Sequence, residues 1–308
     1  MAEGYAGPST RARALVEGGY DTHIHVAPDV MERRIDDVDL GHRFAEVGLA
    51  GFVLKSHYVP TAERAEVVRK VVPETDALGA LTLNGSVGGL NPTAVEIAGR
   101  QGARVVWMPT VDCRNQRDSR AQDPPGAKPP MWAALQDDLR ASGIEPPAID
   151  VVDGAGAVLP AVRDVLTVVA KHGMTLATGH LNAAEIVAVV DAALDAGVRT
   201  VVVTHPEFTS QRLPVDVQQR LAGRGALLER CFTTPHTGKV SWEELLNNIR
   251  KAGPENSVLS SDLGQPFNPP VEDGLALMAD TLIANGFTDE EIQTMAVANS
   301  RRVAGAGK

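Results

Sequence analysis

The sequence predicts an α/β fold, a single-domain TIM-type (β/α)8 barrel over residues 1–308. Short runs rich in Val, Leu and Ala alternate with amphipathic stretches from about Tyr20 onwards, as repeated βα units around a parallel sheet do. Eight such runs are present, which is the number of strands in this barrel. One barrel therefore accounts for the whole length, since barrels of 250 residues or more are common as one domain.

The eight runs are predicted to be strands because several are nearly continuous in apolar residues, as strands buried on both faces should be. They are Asp21–Val26, Gly51–His57, Leu81–Val87, Arg104–Val111, Thr175–Leu181, Thr200–His205, Ala226–Phe232 and Ser257–Leu263.

Helix starts between these strands carry capping signals. Asn182, Ser241 and Thr288 each precede a glutamate by three residues, the spacing of a capping box. Thr61 and Asn91 are weaker starts, before Ala62–Val72 and Thr93–Gly99. Glycines are predicted to end five helices, at Gly48, Gly173, Gly197, Gly253 and Gly286.

One stretch breaks the alternation. Residues 113–147, after the fourth strand, are rich in Pro, Arg, Asp and Gln and are predicted to form a long loop. Loops of this length in compact domains usually serve as lids or binding segments. The alternative is a surface excursion without a part in the chemistry.

Charge and cysteine content exclude several classes of protein. The formal net charge is −10, the wrong sign for attraction to nucleic acid or to an anionic membrane. The two cysteines, Cys113 and Cys231, form no C-x-x-C motif and suggest no disulfide framework. No apolar run is long enough for a signal peptide or a membrane span. We expect a cytoplasmic protein that acts on a small-molecule substrate, either as a monomer or as a homo-oligomer.

A histidine pair ends the first predicted strand. His23 and His25 are two residues apart, so their side chains lie on one side of the strand and converge at the barrel mouth. Neutral imidazole is the commonest ligand of zinc and similar ions. Taken alone, the pair could equally be two histidines on a polar surface strand.

Three further candidate ligands fall at the ends of other predicted strands: His180, His205 and Asp262. In a TIM barrel the carboxyl ends of all strands face one rim, where catalytic residues from distant segments meet. Convergence from four strands predicts a metal site at this rim.

The ordered set His23-x-His25, His180, His205 and Asp262 resembles the amidohydrolase superfamily, and the segment 298–305 resembles the asparagine-led helix that closes many members. The likeness is greatest to an uncharacterised amidohydrolase-like group. It implies a hydrolase with one or two divalent metal ions, most often Zn²⁺ with Mn²⁺ as an alternative, that cleaves an amide, cyclic amide or related C–N bond. Asp262 would be the catalytic general base and then the general acid.

Lys55 departs from the family pattern. Many binuclear members bridge their metals with a carbamylated lysine on strand four, but here residues 104–112 contain no lysine and Lys55 lies on strand two. A carbamylated Lys55 would be an anionic ligand between two cations. As a plain ammonium it would repel a second metal and instead hold an anionic group of the substrate.

Other polar residues are predicted around the same rim. His57 shares the side of Lys55 and would join the metal shell or contact substrate, or merely cap its strand. Asp21 could accept a hydrogen bond from a ligand imidazole. Candidate substrate contacts, each of which could instead cap a helix or face solvent, are His57, Asn84, Thr110, Asp112, Arg114, Arg230 and His236, with Arg33 and Arg34 as further anion-binding candidates.

Three alternatives use nearly the same residues. Lactone or phosphoester hydrolysis needs only a different cavity. A mononuclear relative could decarboxylate an unsaturated or aromatic acid with Lys55 as a cation. A barrel with a closed, purely structural or metal-storage site would leave no position open for water.

Overall fold

The computed structural model describes residues 6–120 and 131–306, and each of the eight predicted strand segments overlaps a β-strand. The strands are β1 Tyr20–Ile24, β2 Gly51–Leu54, β3 Asp76–Leu78, β4 Ala80–Thr82, β5 Val105–Trp107, β6 Thr175–Ala177, β7 Val201–Val203, β8 Leu227–Cys231 and β9 Ser257–Ser260. The sequence prediction missed β3, which is only three residues long and ends just before Gly79.

All strand pairs are parallel, in the orders β1-β2-β3 and β4-β5-β6-β7-β8-β9. Only Gly79 separates β3 from β4, so the two are halves of one strand, and a side chain there would collide with the backbone of Ala62. Backbone hydrogen bonds from Asp262 N to His23 O and from His25 N to Leu263 O, both 2.8 Å, join the end of β9 to β1. The eightfold ring is thus closed, and the predicted α/β barrel is confirmed.

Helices surround this ring. They are α1 Thr10–Val16, α2 Asp37–Glu46, α3 Ala62–Val71, α4 Pro92–Arg100, α5 Arg114–Arg120, α6 Met131–Ala141, α7 Pro160–His172, α8 Ala183–Asp195, α9 Val215–Gly223, α10 Thr233–His236, α11 Trp242–Ala252, α12 Gly274–Ala284, α13 Asp289–Gln293 and α14 Asn299–Ala304, with short 3-10 turns at Gly85–Val87, Pro254–Asn256 and Val271–Asp273 and a π-helical turn at Thr294–Ala298. No helix in the described part of the chain is both long and apolar enough to cross a membrane.

The predicted capping signals have mixed outcomes. Asn182 and Thr288 form reciprocal capping boxes with Glu185 and Glu291, as predicted. The side chains of Ser241 and Asn91 also accept backbone N–H groups at the starts of α11 and α4. Thr61 does not cap α3, because its hydroxyl donates to the carbonyl of Leu54 at 2.7 Å and so ties the helix start to the end of β2.

The prediction of a loop over residues 113–147 is wrong for the described part of that stretch, which contains α5 and α6. The segment Met131–Ala141 holds Met, Ala, Leu and Gln residues at helical spacing, which outweighs the polar character of the region as a whole. Residues 121–130, which contain most of the prolines of this stretch, lie outside the described residues.

Apolar side chains fill the lower part of the barrel interior. Val53, Trp107 and Leu227 point inward from three strands, and Val303 of α14 packs against the same cluster. The hydroxyl of Thr175 donates to Val303 O at 2.9 Å, which fixes α14 to the ring. Apolar side chains thus close this end of the barrel. The inward-facing polar side chains lie at the opposite end, where the carboxyl ends of the strands meet.

Candidate metal centre

A cavity of about 460 Å³ lies at the carboxyl end of the barrel. Its walls come from the loops that follow β1, β2, β7, β8 and β9, from the ends of those strands and of β6, and from the start of α6. The residues that line it are His25, Met31, Arg33, Lys55, His57, Met131, Trp132, His180, His205, Phe208, Thr233, Thr237, Lys239, Asp262, Gln265, Phe267 and Asn268.

His23, His25 and Asp262 meet beside this cavity. The Nε2 atoms of His23 and His25 lie 3.2 and 3.3 Å from the same carboxylate oxygen, Asp262 Oδ1. Potential ligand atoms of these three residues all lie within 4.8 Å of one another. Two imidazoles and a carboxylate, from β1 and the segment after β9, thus converge on one point.

Asp262 is held in a backbone conformation that favours glycine, with φ +54°. Its second oxygen, Oδ2, accepts a hydrogen bond from Thr233 Oγ1 at 3.1 Å, which fixes the carboxylate plane. Burial opposes ionisation, but the nearby His23, His25 and Lys55 outweigh it and hold the pKa of Asp262 well below its usual range. The carboxylate is therefore ionised at neutral pH and can act as a ligand or a base.

Lys55 reaches the same centre from β2. Its Nζ lies 2.8 Å from His23 Nε2 and 5.3 Å from the centre of the Trp107 ring, and the residue is only 4% exposed. Burial lowers its pKa, although the carboxylates of Asp262 and Glu229 act in the opposite direction. The structure thus brings Lys55 to the predicted place.

Glu229 is a member of the site that sequence reasoning missed. It points inward from β8, is 1% exposed, and accepts from His23 Nδ1 with both carboxylate oxygens at 3.2 Å. Cys231 Sγ lies 3.8 Å from the same nitrogen. With its proton on Nδ1, His23 directs the Nε2 lone pair toward the cavity centre, so Glu229 sets the tautomer of a candidate ligand.

His180 and His205 follow β6 and β7 and line the cavity with their ring centroids 5.1 Å apart. Burial lowers the pKa of both, that of His205 to about 4, and burial likewise lowers the pKa of His25 to about 3. All three imidazoles are neutral at pH 7 and therefore have a lone pair for a metal.

His57 lines the cavity from the loop after β2, stacked on His25 with ring centroids 5.0 Å apart. Its Nδ1 lies 2.8 Å from Thr110 Oγ1, which accepts from Asn84 Nδ2 at 2.7 Å. Asn84 and Thr110, which were predicted to contact substrate, instead lie behind His57 and orient it. Asp112 is also displaced from the cavity, because its carboxylate binds Arg117, Gln136 and the backbone N–H of Gly85.

Three predicted substrate contacts are wrong. Arg230 points outward from β8, because side chains alternate along a strand and its neighbour Glu229 points inward, and it pairs with Glu207 in the layer outside the barrel. Arg114 is half-exposed and pairs with Asp150. His236 is exposed and stacks on Phe232 rather than lining the cavity.

Two further predictions near β1 are corrected or refined. Asp21 accepts hydrogen bonds from the backbone N–H groups of His23 and Ser261 rather than from an imidazole, so it joins β1 to β9. Arg33 lines the cavity as predicted for an anion-binding residue, whereas Arg34 donates to the backbone carbonyls of Pro266 and Asn268.

The residues present fit a divalent cation. The Nδ1 atoms of His25, His180 and His205 are buried and have no hydrogen-bond partner among residues 6–120 and 131–306. Buried polar atoms are rarely left unpaired in native proteins, and these three imidazoles line the same cavity as the ionised carboxylate of Asp262. Nitrogen and carboxylate donors at this density are the ligand set that zinc prefers.

Comparisons with known proteins give the family and the fold. The profile of a family described as "Family of unknown function (DUF6282)" matches residues 18–229, more than half of the chain. No curated protein matches the chain in sequence.

Solved structures resemble the fold over nearly the whole chain. An amidohydrolase from Pseudomonas aeruginosa superimposes with a TM-score of 0.59 at 10% identity, covering 97% of this chain and 100% of the other. The probable dipeptidase PvdM from the same organism gives 0.58 at 12%, covering 96% and 97%. A metallo peptidase from Rhodobacter sphaeroides, liganded with a phosphinate mimic of the dipeptide L-Ala-D-Ala, gives 0.58 at 14%, covering 95% and 99%. At these identities the likeness establishes the fold.

Proposed function

The chain belongs to the family of unknown function DUF6282 and has the amidohydrolase-superfamily fold, and from this premise we propose that it is a metal-dependent hydrolase. The observation that carries the proposal is the convergence of His23 Nε2 and His25 Nε2 on Asp262 Oδ1, at 3.2 and 3.3 Å, beside an open cavity. A purely structural metal site would have a closed shell, whereas these atoms border a space large enough for a substrate.

His23, His25 and Asp262 would hold the metal ion, together with His180 and His205. Zn²⁺ suits neutral imidazole and carboxylate donors best, and Mn²⁺ is the alternative. When bound, such an ion polarises a carbonyl oxygen and lowers the pKa of water toward neutrality.

Asp262 performs the proton transfers. Its ionised carboxylate takes a proton from the attacking water as the new C–O bond forms, and then gives that proton to the leaving nitrogen as the C–N bond breaks. Thr233 holds the carboxylate in one orientation through both steps by its 3.1 Å hydrogen bond to Oδ2. Glu229 keeps His23 in the ligand tautomer throughout.

The bond cleaved is an amide, a cyclic amide or a related C–N bond of a small molecule. Two features support this choice. The proteins of similar fold include an amidohydrolase, dipeptidases and an N-acetyl-D-glucosamine-6-phosphate deacetylase. In addition, Asp262 is positioned to return a proton, which a departing amine requires.

Lys55 completes the site as a carbamate. A protonated Lys55 at 2.8 Å from His23 Nε2 would compete with a metal for that lone pair, while burial favours the neutral amine, which is the form that adds CO₂. Addition forms an N–C bond, releases one proton and leaves an anionic ligand for one or two metals. The stacked Trp107 ring supports the alternative, a plain ammonium, since it attracts a cation.

Metal removal and reconstitution test the proposal. The protein is stripped with a chelator, reloaded with Zn²⁺ or Mn²⁺, and assayed against a panel of acyl amides, cyclic amides, lactones and phosphoesters. We expect C–N hydrolysis that depends on added metal, and native mass spectra that carry the extra mass of one CO₂ unless Lys55 is replaced by Met. Release of CO₂ from an aromatic acid without hydrolysis of any panel member would contradict it.

A further inference from the structure

Three basic side chains, Arg33, Lys55 and Lys239, line the mouth cavity in the described part of the chain, together with the carboxylate of Asp262. Lys55 is the residue proposed above to carry the carbamate, so it does not count as a cation here. The whole chain has a formal net charge of −10. A cation without a partner in this cavity would therefore favour an anionic ligand.

Two of these three side chains are already engaged. Arg33 forms an ion pair with Asp29 at 2.7 Å, and both side chains are almost fully buried, at 3% and 4% exposed. Lys55 contacts His23 at 2.8 Å. Lys239, by contrast, makes no ion pair and no side-chain hydrogen bond with any residue that the structure describes. It is the cation that remains for a ligand.

Lys239 stands close to the reacting centre in the fold. It follows the one-turn helix α10, and its backbone N–H donates to Thr234 O at 2.9 Å. Thr233, at the start of the same turn, donates to Asp262. Because β8 and β9 are neighbours, this turn and the loop of Asp262 border the same side of the cavity.

Bulky apolar side chains line another part of the cavity wall. Phe267 lies on this wall and is 72% exposed, so that it is free to contact a ligand. Trp132 of α6 and Phe208 after β7 also line the cavity, as do Met31 and Met131. Such a wall binds a large apolar or aromatic group, and methionines adapt to its shape.

We propose that the substrate is a carboxylate-bearing amide with a large apolar or aromatic substituent, of the N-acyl amino acid type. Its carboxylate binds Lys239, its substituent packs on Phe267 and Trp132, and its amide carbonyl faces Asp262. A carboxylate fits better than a phosphate dianion, because one unpaired cation matches one negative charge. This inference rests on the proposed hydrolase function for its reaction, although not for its binding.

A matched pair of substrates tests it. The Zn²⁺-loaded protein is assayed with N-acetylphenylalanine and with its neutral carboxamide, and the ratio of kcat/KM for acid over carboxamide is compared among variants. We expect the wild type to prefer the acid by about 10- to 100-fold, the worth of a charge-assisted hydrogen bond. Lys239→Met should abolish this preference, and Lys239→Arg should retain most of it. Lys251→Met, the same change at an exposed position of α11, should leave it unaltered.

Calorimetric binding of the same two compounds separates this inference from the proposed function. Binding of the acid that requires Lys239, without turnover of either compound, would sustain the anion site and overturn the proposed substrate class, while the hydrolase is decided by the panel of amides, cyclic amides, lactones and phosphoesters. Turnover with equal kcat/KM for acid and carboxamide, or a preference that persists in Lys239→Met, would overturn the substrate class and leave the hydrolase standing. Tighter binding of an O-phosphorylated analogue than of the acid would also overturn it.

Discussion

Two neighbouring residues of β8 place buried charge on opposite sides of the barrel wall. Arg230, facing outward, is fully buried and donates to Glu207, to Gln218 at 2.8 Å and to Ser257 at 3.2 Å. Glu229, facing inward, binds His23 at the edge of a cavity lined by His25, His180 and His205, whose Nδ1 atoms have no partner among the residues that the structure describes. Burial of a charge is common to both regions.

The two regions differ in their surroundings, which are protein in one case and an open cavity in the other. The outer pair is enclosed by protein, and its two charges neutralise each other, although Arg230 Nη2 has no hydrogen-bond partner in the described part of the chain. The inner cluster opens onto a cavity and has donor atoms to spare, which an external ion or substrate can satisfy. We therefore expect substitutions in the outer pair to affect stability and those in the inner cluster to affect metal binding and activity.

The largest effect is expected for Asp262→Asn, which tests whether the inner cluster serves activity or the fold. We expect kcat/KM to fall by about 10²- to 10⁴-fold, because a base and a ligand charge are both lost. The unfolding midpoint of the metal-free protein should change little. Asp195→Asn, at a position 81% exposed on α8, is the control and should alter neither quantity. Unfolding of Asp262→Asn with no loss of activity per folded molecule would assign the carboxylate to the fold.

Arg230→Met tests the outer region. Removal of the guanidinium leaves the Glu207 charge buried without its partner, which should lower the free energy of unfolding by about 3–5 kcal/mol. Urea denaturation of the metal-free protein measures it. Arg230→Met combined with Glu207→Met should recover much of the loss. A stable single variant with weakened Zn²⁺ binding would place Arg230 in the site after all.

Glu229→Leu should affect metal binding more than folding. Without the carboxylate the His23 tautomer is no longer fixed, and we expect Zn²⁺ affinity to fall by about 10- to 100-fold. Glu229→Gln retains an acceptor oxygen and should lose less. Competition with a chromogenic chelator gives the affinities, and Glu243→Leu at an exposed site on α11 is the control. Equal affinities for all of these variants would remove Glu229 from the site.

The smallest effect is expected on the outer surface, where Glu96 contacts Lys171 at 2.9 Å and His172 at 2.8 Å. Hydrogen bonds from Lys171, His172 and Arg100 lower the pKa of Glu96 from 4.5 to about 2. The ionised form is thus favoured in the folded state, so its stabilisation is present at neutral pH and disappears as the pH falls from about 4.5 toward 2. Unfolding midpoints of wild type and Glu96→Gln should differ slightly at pH 7 and converge at low pH.

Much of the fold was predictable because apolar periodicity and capping act locally. Asn182 and Thr288 each form a capping box with a glutamate three positions later, so the starts of their helices can be recognised in the sequence. The eight strand segments can be recognised as apolar runs. The missed strand β3 is too short for such a pattern. Helix α6 was not predicted, because its apolar residues were considered together with the polar, proline-containing segment that precedes it.

The candidate site was partly predictable for a similar reason. A strand end and a two-residue spacing were enough to place His23, His25 and Asp262 at one rim. The choice of Arg230 over Glu229 failed because the inward face of β8 depends on register, and a shift of one residue exchanges the two faces. The available signal was the presence of Glu229 beside Arg230 in a strand whose other residues are apolar. The ion pairs of Arg114 with Asp150 and of Arg33 with Asp29 depend on loop conformations that the sequence pattern does not specify.

Gly264, which follows the segment that joins β9 to β1, limits how the active-site loop can be altered. Its φ is +133°, and any side chain there would collide with the carbonyl oxygen of His25, while its own carbonyl accepts from Arg34 N at 2.9 Å. The close approach holds two candidate ligands, His25 and Asp262, at a fixed separation through the main chain alone. Engineers who wish to change specificity can therefore exchange the exposed Phe267, provided that Gly264 is retained where the loop meets the barrel.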